Sequence, residues 1–330
     1  MIYFIFYFLF FVPTLVVAGS NVQRFNQTLI LPEFYSKGTC SVFELKNSYL
    51  NNTKTKELIP KSDESHIRIS TFNIHHWSGV WGNNFNEMDN HEAIIDDIVS
   101  LDSDIIGFQE FVWDDEIVEK LLKKLGLKNE NICFSKASNW PGKPFGNCLI
   151  SRFPIQSFRS VKLPSFEEER VALDAEISIS GMPTQIIVAH LDVHDGSGNT
   201  RVKQLDILTE LFLHRKETCD GRVFILSDMN AIFKEEIPPP LLEAIKTIDS
   251  KRNINTPTHE IPLLKKIGLA DSFAYLQLPA PQFSCWSGRR TDFIFFKPHA
   301  DFVIHSSWIG VTDTSDHLPI SIDVAKRSEL

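Results

Sequence analysis

The sequence predicts an α/β fold in which two mixed, mainly antiparallel sheets pack together and carry helices on their outer sides. Three observations predict it. From about His66 onward, short apolar strand patterns alternate with helical ones. Several strands follow one another across short turns, which implies antiparallel pairing, while others are separated by a helix. No linker, repeat or low-complexity stretch interrupts them, so residues 66–326 read as one domain.

Two segments precede that domain. The first, MIYFIFYFLFFVPTLVVAGS, is apolar from Ile2 to Val17 and ends in the small residues Ala18, Gly19 and Ser20. This is the pattern of a secretory signal peptide over 1–19; without a positive leader and with a length near the lower limit of a membrane span, an uncleaved anchor is the alternative. Residues 20–65 are polar, lack sustained periodicity and hold two glycosylation sequons, at Asn26 and Asn51, which marks an N-terminal extension. The expected location is the secretory pathway, extracellular or lumenal. Five cysteines, at 40, 133, 148, 219 and 285, show no zinc-site spacing. A bridge between Cys133 and Cys148 would close a loop between neighbouring strands, although pairing itself is not legible in a sequence.

Within the domain, HIRISTFNI alternates as a strand, HEAIIDDIVSL sets Ile94, Ile95, Ile98 and Leu101 at helical spacing, and DIIGFQE is a short buried strand. DDEIVEKLLKKLG is a second helix, capped by Asp114 or Asp115, with Leu121, Leu122 and Leu125 inward and Gly126 at its end. GNCLISRFPI, RVALDAEISI and TQIIVAHL are strands. NTRVKQLDILTELFLH is a helix with Val202, Leu205, Leu208, Leu211 and Phe212 on one side, and GRVFILSD returns as a buried strand. PPPLLEAIKTI begins as a helix with proline in its first turn, and TDFIFF and PISIDV close the series as strands.

The net charge of −9 opposes anionic substrates unless a local basic patch or a metal ion offsets it, which counts against a passive nucleic-acid-binding module. Against that background, apolar strands end in acids, amides or histidines: Asn73, Glu110, His190, Asp228 with Asn230, and the pair Asp316-His317 ahead of the last strand. Singly, each reads as a turn, cap or core residue. Together they place several carboxylates at the ends of apolar strands, where burial is unfavourable unless a cation or histidine compensates. Carboxylate and amide oxygens, without a cysteine cluster or a histidine triad, fit Mg²⁺, with Mn²⁺ or Ca²⁺ as alternatives. A divalent ion, a general base and a histidine held by an aspartate are what phosphodiester hydrolysis requires.

The motifs STFNIHH, DIIGFQE, VAHLDVHDG, LSDMNA, RRTDFIFF and TSDHLPI, in this order, resemble the endonuclease/exonuclease/phosphatase superfamily, the fold of pancreatic-type deoxyribonucleases, neutral sphingomyelinases and inositol polyphosphate 5-phosphatases. The resemblance implies a four-layer, DNase I-like α/β sandwich and a role for each matched residue. Glu110 would be the main metal ligand, with Asn73 and Asp316 beside it. Asp228 would orient or deprotonate the attacking water, and Asn230 would bond the pentacovalent phosphate. His317, oriented by Asp292, would contact the scissile phosphate, and His190 would lie near the phosphate or leaving group. Arg170 is a candidate phosphate contact, with an exposed ion pair as the bland reading. Arg201 and Gln204 share a helix face, with loop packing as theirs.

The sequence also departs from the subfamilies it resembles. QEFVWDD has Val112 and acids where pancreatic-type deoxyribonucleases carry an arginine, and SDMNAIF and RRTDFIFF lack the arginine and WTDR elements of inositol 5-phosphatases. Ser227 stands where a glycine is usual. Trp77, Trp81 and Trp140 fall on expected rim loops, suited to stacking, a lipid interface or packing. The expected partner is a phosphate-ester substrate, whether nucleic acid, sphingolipid or small phosphodiester, taken by a monomer with no obligate protein partner.

Overall fold

The computed structural model describes residues 61, 65–78, 90–215, 218–278, 283–285 and 288–327. The segment expected to be a signal peptide, both sequons, Cys40 and Trp81 lie outside the described residues.

Among the described residues, twelve strands form two sheets of six. The first contains β1 (Ile67–Asn73), β2 (Ile105–Val112), β3 (Ile132–Trp140), β4 (Lys143–Ser151), β11 (Phe302–Ile309) and β12 (Ile320–Lys326), in the order β11-β12-β1-β2-β4-β3. The second contains β5 (Ile155–Leu163), β6 (Arg170–Ile179), β7 (Met182–His190), β8 (Val223–Asp228), β9 (Ala270–Asp271) and β10 (Asp292–Phe296), in the order β5-β6-β7-β8-β10-β9. Of these strands, β1 with β2 and β7 with β8 pair in parallel, and the other pairings are antiparallel. The first pair is linked through α1 (His91–Leu101), the second through α3 (Asn199–His214), because a parallel connection must cross over. The other helices are α2 (Asp115–Leu125), α4 (Pro239–Lys251), α5 (Glu260–Lys266) and the single turn α6 (Ser272–Tyr275).

Three apolar clusters correspond to the three interfaces of a four-layer sandwich. Ile69, Leu149 and Ile322 of one sheet meet Leu173, Val188 and Leu226 of the other in the centre. Phe108 and Ile106 pack outward on Ile94 and Ile98 of α1 and on Leu121 of α2. Ile187 and Ile225 pack outward on Leu205 and Leu208 of α3 and on Ile261 and Leu264 of α5. The sheets approach closely at Gly107, where an added Cβ would lie 2.9 Å from Val188 Cγ2 and 3.0 Å from Leu226 Cβ. That glycine lets the centre of β2 sit against β7 and β8.

Local signals in the sequence act as expected. Asp114 caps α2 by accepting from the amides of Glu116 and Ile117, and Gly126 ends it in the left-handed conformation. Inside α3, however, the buried face includes Arg201 and Gln204, and Val202 is only half-buried. Cys133 and Cys148 are both buried and unbridged. They occupy adjacent strands, but Cys133 lies opposite Leu149 and Cys148 opposite Phe134, so they point to opposite faces of one sheet. A bridge between them is sterically excluded in this register.

Candidate active site

The functional candidates meet at one rim, where the C-terminal ends of all four parallel strands come together. Asn73 is the last residue of β1, His190 of β7 and Asp228 of β8. Glu110 differs from the sequence expectation: β2 runs on to Val112, and Glu110 sits at a register shift between Phe108 and Phe111 with φ +54°. A bulge is what turns the carboxylate out of the sheet and toward the rim.

Asn73 joins the two sheets. Its Nδ2 donates to Glu110 Oε1 and to Asp228 Oδ2, each at 3.1 Å, while its Oδ1 accepts from the amide of His75. Asp228 accepts from the Asn230 amide at 2.9 Å, so the Asx turn expected of SDMN is present and sets Asn230 at φ +45°. Asn230 Nδ2 then donates to the Leu191 carbonyl and lies 3.0 Å from His190 Nε2.

His317 comes from the loop before β12 and Asp292 from the start of β10 in the other sheet. His317 Nδ1 lies 2.8 Å from Asp292 Oδ2, and its Nε2 lies 3.6 Å from Asp228 Oδ2. Ser284 and Thr291 hydroxyls donate to the same Asp292 oxygen. The turn reading of TSDH holds as well: Ser315 Oγ accepts from the His317 amide and donates to the Asn73 carbonyl. Thr312 and Thr314 hydroxyls bond Asp97 of α1, which fixes the loop delivering the pair. Asp316 Oδ1 lies 3.9 Å from His75 Nδ1.

Arg170 is buried rather than an exposed ion pair. Its guanidinium lies 3.0 Å from His190 Nδ1 and 3.0 Å from Glu168, because β6 begins beside the end of β7. Arg201 and Gln204 do pack against the loop, as their bland reading held. Arg201 pairs with Glu260 and donates to the Asp192 carbonyl, and Gln204 bonds the Asp192 amide and the Pro164 carbonyl. They brace the segment after His190.

Sequence reasoning passed over His75 and His76, although the HH pair stands one residue beyond Asn73 in the motif STFNIHH. His76 Nε2 lies 3.0 Å from Glu110 Oε2, and its ring stacks on Trp140 at 4.4 Å. His75, His76 and Trp77 all have positive φ, at 45°, 57° and 66°. For residues with a Cβ this left-handed run costs about 1–2 kcal/mol each. Trp77 holds it in place: the ring is fully buried, packs edge-on against Phe111, and donates from Nε1 to the Val112 carbonyl at 2.8 Å. Packing is therefore the role of Trp77.

Electrostatics separate the groups. Burial drives the Asp228 carboxyl up, the nearby Asp292 charge adds to it, and together they raise it to about 7 against the pull of His317. Burial opposes charge on His317, yet Asp292, Cys285, Asp228 and Asp316 hold it well above the usual histidine range. For His190, burial and then Arg170 push it well below that range. Arg170 can only donate to Nδ1, which a neutral ring with its proton on Nε2 accepts and an imidazolium could not. Burial also acts to raise Glu110, but His76, His190 and His75 outweigh it, and the carboxyl ends below its usual range.

The residues present fit a divalent cation. Buried carboxylates crowd the rim, Asp228 retains a proton near neutrality, and Asp292 Oδ1 is buried with no hydrogen-bond partner. Among the described residues, His75, His76 and Glu110 place donor atoms within 4.8 Å of one another, as do Asp228, Asp292 and His317.

A two-sheet sandwich with acids, amides and histidines gathered where its parallel strands end has the make-up of a phosphoester-hydrolase site. The chain belongs to the endonuclease/exonuclease/phosphatase family, whose model matches residues 80–317. No curated protein sequence matches the chain. Among solved structures, it resembles an endonuclease/exonuclease/phosphatase from Beutenbergia cavernae at TM-score 0.56 and 19% identity, covering 80% of this chain and 72% of that one. The human Nocturnin catalytic domain with bound sulfate aligns at TM-score 0.58 and 17% identity, over 81% of this chain and 96% of that one. TDP2 of D. rerio, complexed with single-strand DNA product, aligns at TM-score 0.53 and 16% identity, over 80% and 100%. At these identities the likeness shows the fold.

Proposed function

We propose that this protein is a divalent-metal-dependent hydrolase of phosphodiester bonds, a nuclease or related phosphodiesterase, working in the secretory pathway. One observation carries the chemistry: His317, held by Asp292, and Glu110, held by Asn73, face each other across Asp228 at the seam between the sheets. The apolar Ile2–Val17 segment with its small-residue end, and the sequons at Asn26 and Asn51, support the location.

Glu110, with Asp316 and Asn73 beside it, would hold the ion, whose oxygen donors admit Mg²⁺, Mn²⁺ or Ca²⁺. The ion supplies neutralisation of the phosphate oxygens and orientation of the ester. Asp228, poised near neutral pH by burial and Asp292, accepts a proton from the attacking water. His317, cationic at neutral pH, donates from Nε2 to a phosphate oxygen as charge builds there. Asn230 donates to the pentacovalent phosphate. His190 stays neutral, with Arg170 donating to Nδ1, and presents Nε2 toward the leaving oxygen. A sphingomyelinase-like or inositol-phosphate reading uses the same centre; a catalytically silent binding module would gain nothing from carboxylates that repel one another.

The test is hydrolysis of single- and double-stranded DNA, RNA, sphingomyelin, inositol phosphates and bis-p-nitrophenyl phosphate, with divalent ions or chelator, beside His317→Ala. Metal-dependent cleavage lost in the variant supports the reading. Inactivity of a folded, ion-binding protein across the whole panel counts against it.

A further inference from the structure

We propose that His76 is a nitrogen ligand of the ion centred on Glu110, and that it makes the centre select Mn²⁺ over Mg²⁺ and Ca²⁺. The proposal rests on Glu110 being the carboxylate that holds the ion. Its geometry is that of two ligands awaiting one ion. Donors bound at about 2.1 Å to the same ion lie about 3.0–3.4 Å apart, and His76 Nε2 lies 3.0 Å from Glu110 Oε2. His75 has a donor atom within 4.8 Å of both, but the 3.0 Å contact with Glu110 belongs to His76, and the nitrogen is assigned to His76 alone.

The backbone independently marks the place as built. His75, His76 and Trp77 form three successive left-handed residues, and Glu110 opposite them is left-handed too, at φ +54°. Strain of this kind persists only where the surroundings enforce it, and it gathers at ligand sites. Here the buried Trp77 indole and the Asn73 side chain enforce it, the latter by accepting the His75 amide hydrogen. Trp140, stacked on the His76 ring at an interplanar angle of 15°, fixes the direction of Nε2. An ordinary right-handed turn after Asn73 would aim the ring elsewhere. A simple histidine–carboxylate pair does not call for three strained residues and an aromatic clamp.

Selectivity follows from donor chemistry. Mg²⁺ and Ca²⁺ are hard ions that take oxygen, whereas first-row transition ions gain from imidazole. Of the ions the oxygen donors admit, Mn²⁺ alone gains from a nitrogen.

The test uses the intact chain, freed of metal, with Mn²⁺ and Mg²⁺ affinities measured by calorimetry and the Mn²⁺-loaded protein examined by pulsed electron paramagnetic resonance for coupling to imidazole ¹⁴N. Wild type shows the coupling. His76→Gln loses it and weakens Mn²⁺ binding about tenfold or more, with Mg²⁺ changed by less than about threefold. His75→Gln keeps the coupling, and Glu110→Gln weakens both ions. Absence of nitrogen coupling in wild type, its persistence in His76→Gln, or an equal loss of both ions in that variant overturns the proposal. Absence of coupling in the wild-type spectrum overturns the proposal even if a variant fails to fold. Cleavage of an ester with Mn²⁺ but without nitrogen coupling would sink the ligand assignment alone. Nitrogen coupling without cleavage of any ester would sink the hydrolase reading and leave the ligand in place.

Discussion

Asp292 opens β10 of one sheet and His317 lies in the loop that leads into β12 of the other, yet the Asp292 carboxylate reaches the imidazole Nδ1 at 2.8 Å. The pair ties β10 to the loop before β12 and keeps the ring charged against the opposition of burial. Asp292→Asn removes the largest source of that charge stabilisation. The His317 imidazole is then expected to titrate at lower pH, read by proton NMR of its ring, and kcat to fall about 10²–10⁴-fold. An unmoved titration with full activity would refute the role.

Asp228 gives a stability prediction with a defined sign. Its carboxyl is raised in the folded protein to about 7 from 3.8. The native state therefore holds a proton that the unfolded chain has released, and Asp228's contribution is fully present below pH about 4 and lost as pH rises through about 7. Asp228→Asn removes this dependence. In chelator at pH 8 the variant is expected to melt higher than wild type by several degrees, on the order of 1–3 kcal/mol, with no gain at pH 4 and no hydrolysis at either. Thermal melts at the two pH values check it.

Gly107 predicts how closely the sheets must meet. Gly107→Ala forces its methyl against Val188 and Leu226 and is expected to destabilise by about 1–3 kcal/mol in chemical denaturation. Gly107 lies three residues before Glu110, so the variant should also lose ion affinity even where it folds.

Phe166 and Val193 are exposed, at 62% and 49%, on the two loops that adjoin Arg170 and His190. The Phe166 amide donates to Asp192, so the loops stand together. Phe166→Ala is expected to raise KM about three- to tenfold with kcat unchanged, as loss of uniform substrate binding. Steady-state kinetics on a cleaved ester decide it; equal KM in the variant would remove Phe166 from the binding surface.

The strands that escaped sequence reading share one physical cause. β3, β5, β9 and β11 are the edges of their sheets. β5 buries little of IQSFRSVKL, and a strand with polar residues on both faces shows no alternation to detect. The interior strands and the helices HEAIIDDIVSL and NTRVKQLDILTELFLH were legible because burial on a fixed face writes a period into the sequence. At the site, carboxylates ending apolar strands stood out because such burial needs a reason. Glu110's bulge and the left-handed turn at His75–Trp77 were hidden, since both arise from tertiary packing of Trp77 and Phe111 rather than from turn-forming residues.

Each sheet keeps its parallel pair at an interior position, with an antiparallel strand on either side, and the two pairs end at the same seam. The centre is thus assembled from two halves, one per sheet. One half presents an amide and a carboxylate, Asn73 and Glu110; the other presents an imidazole and a carboxylate, His190 and Asp228. Neither half alone contains a catalytic set. Turnover then reports closure of the whole chain: a molecule unfolded in one half lacks the groups that the other half must meet across the seam.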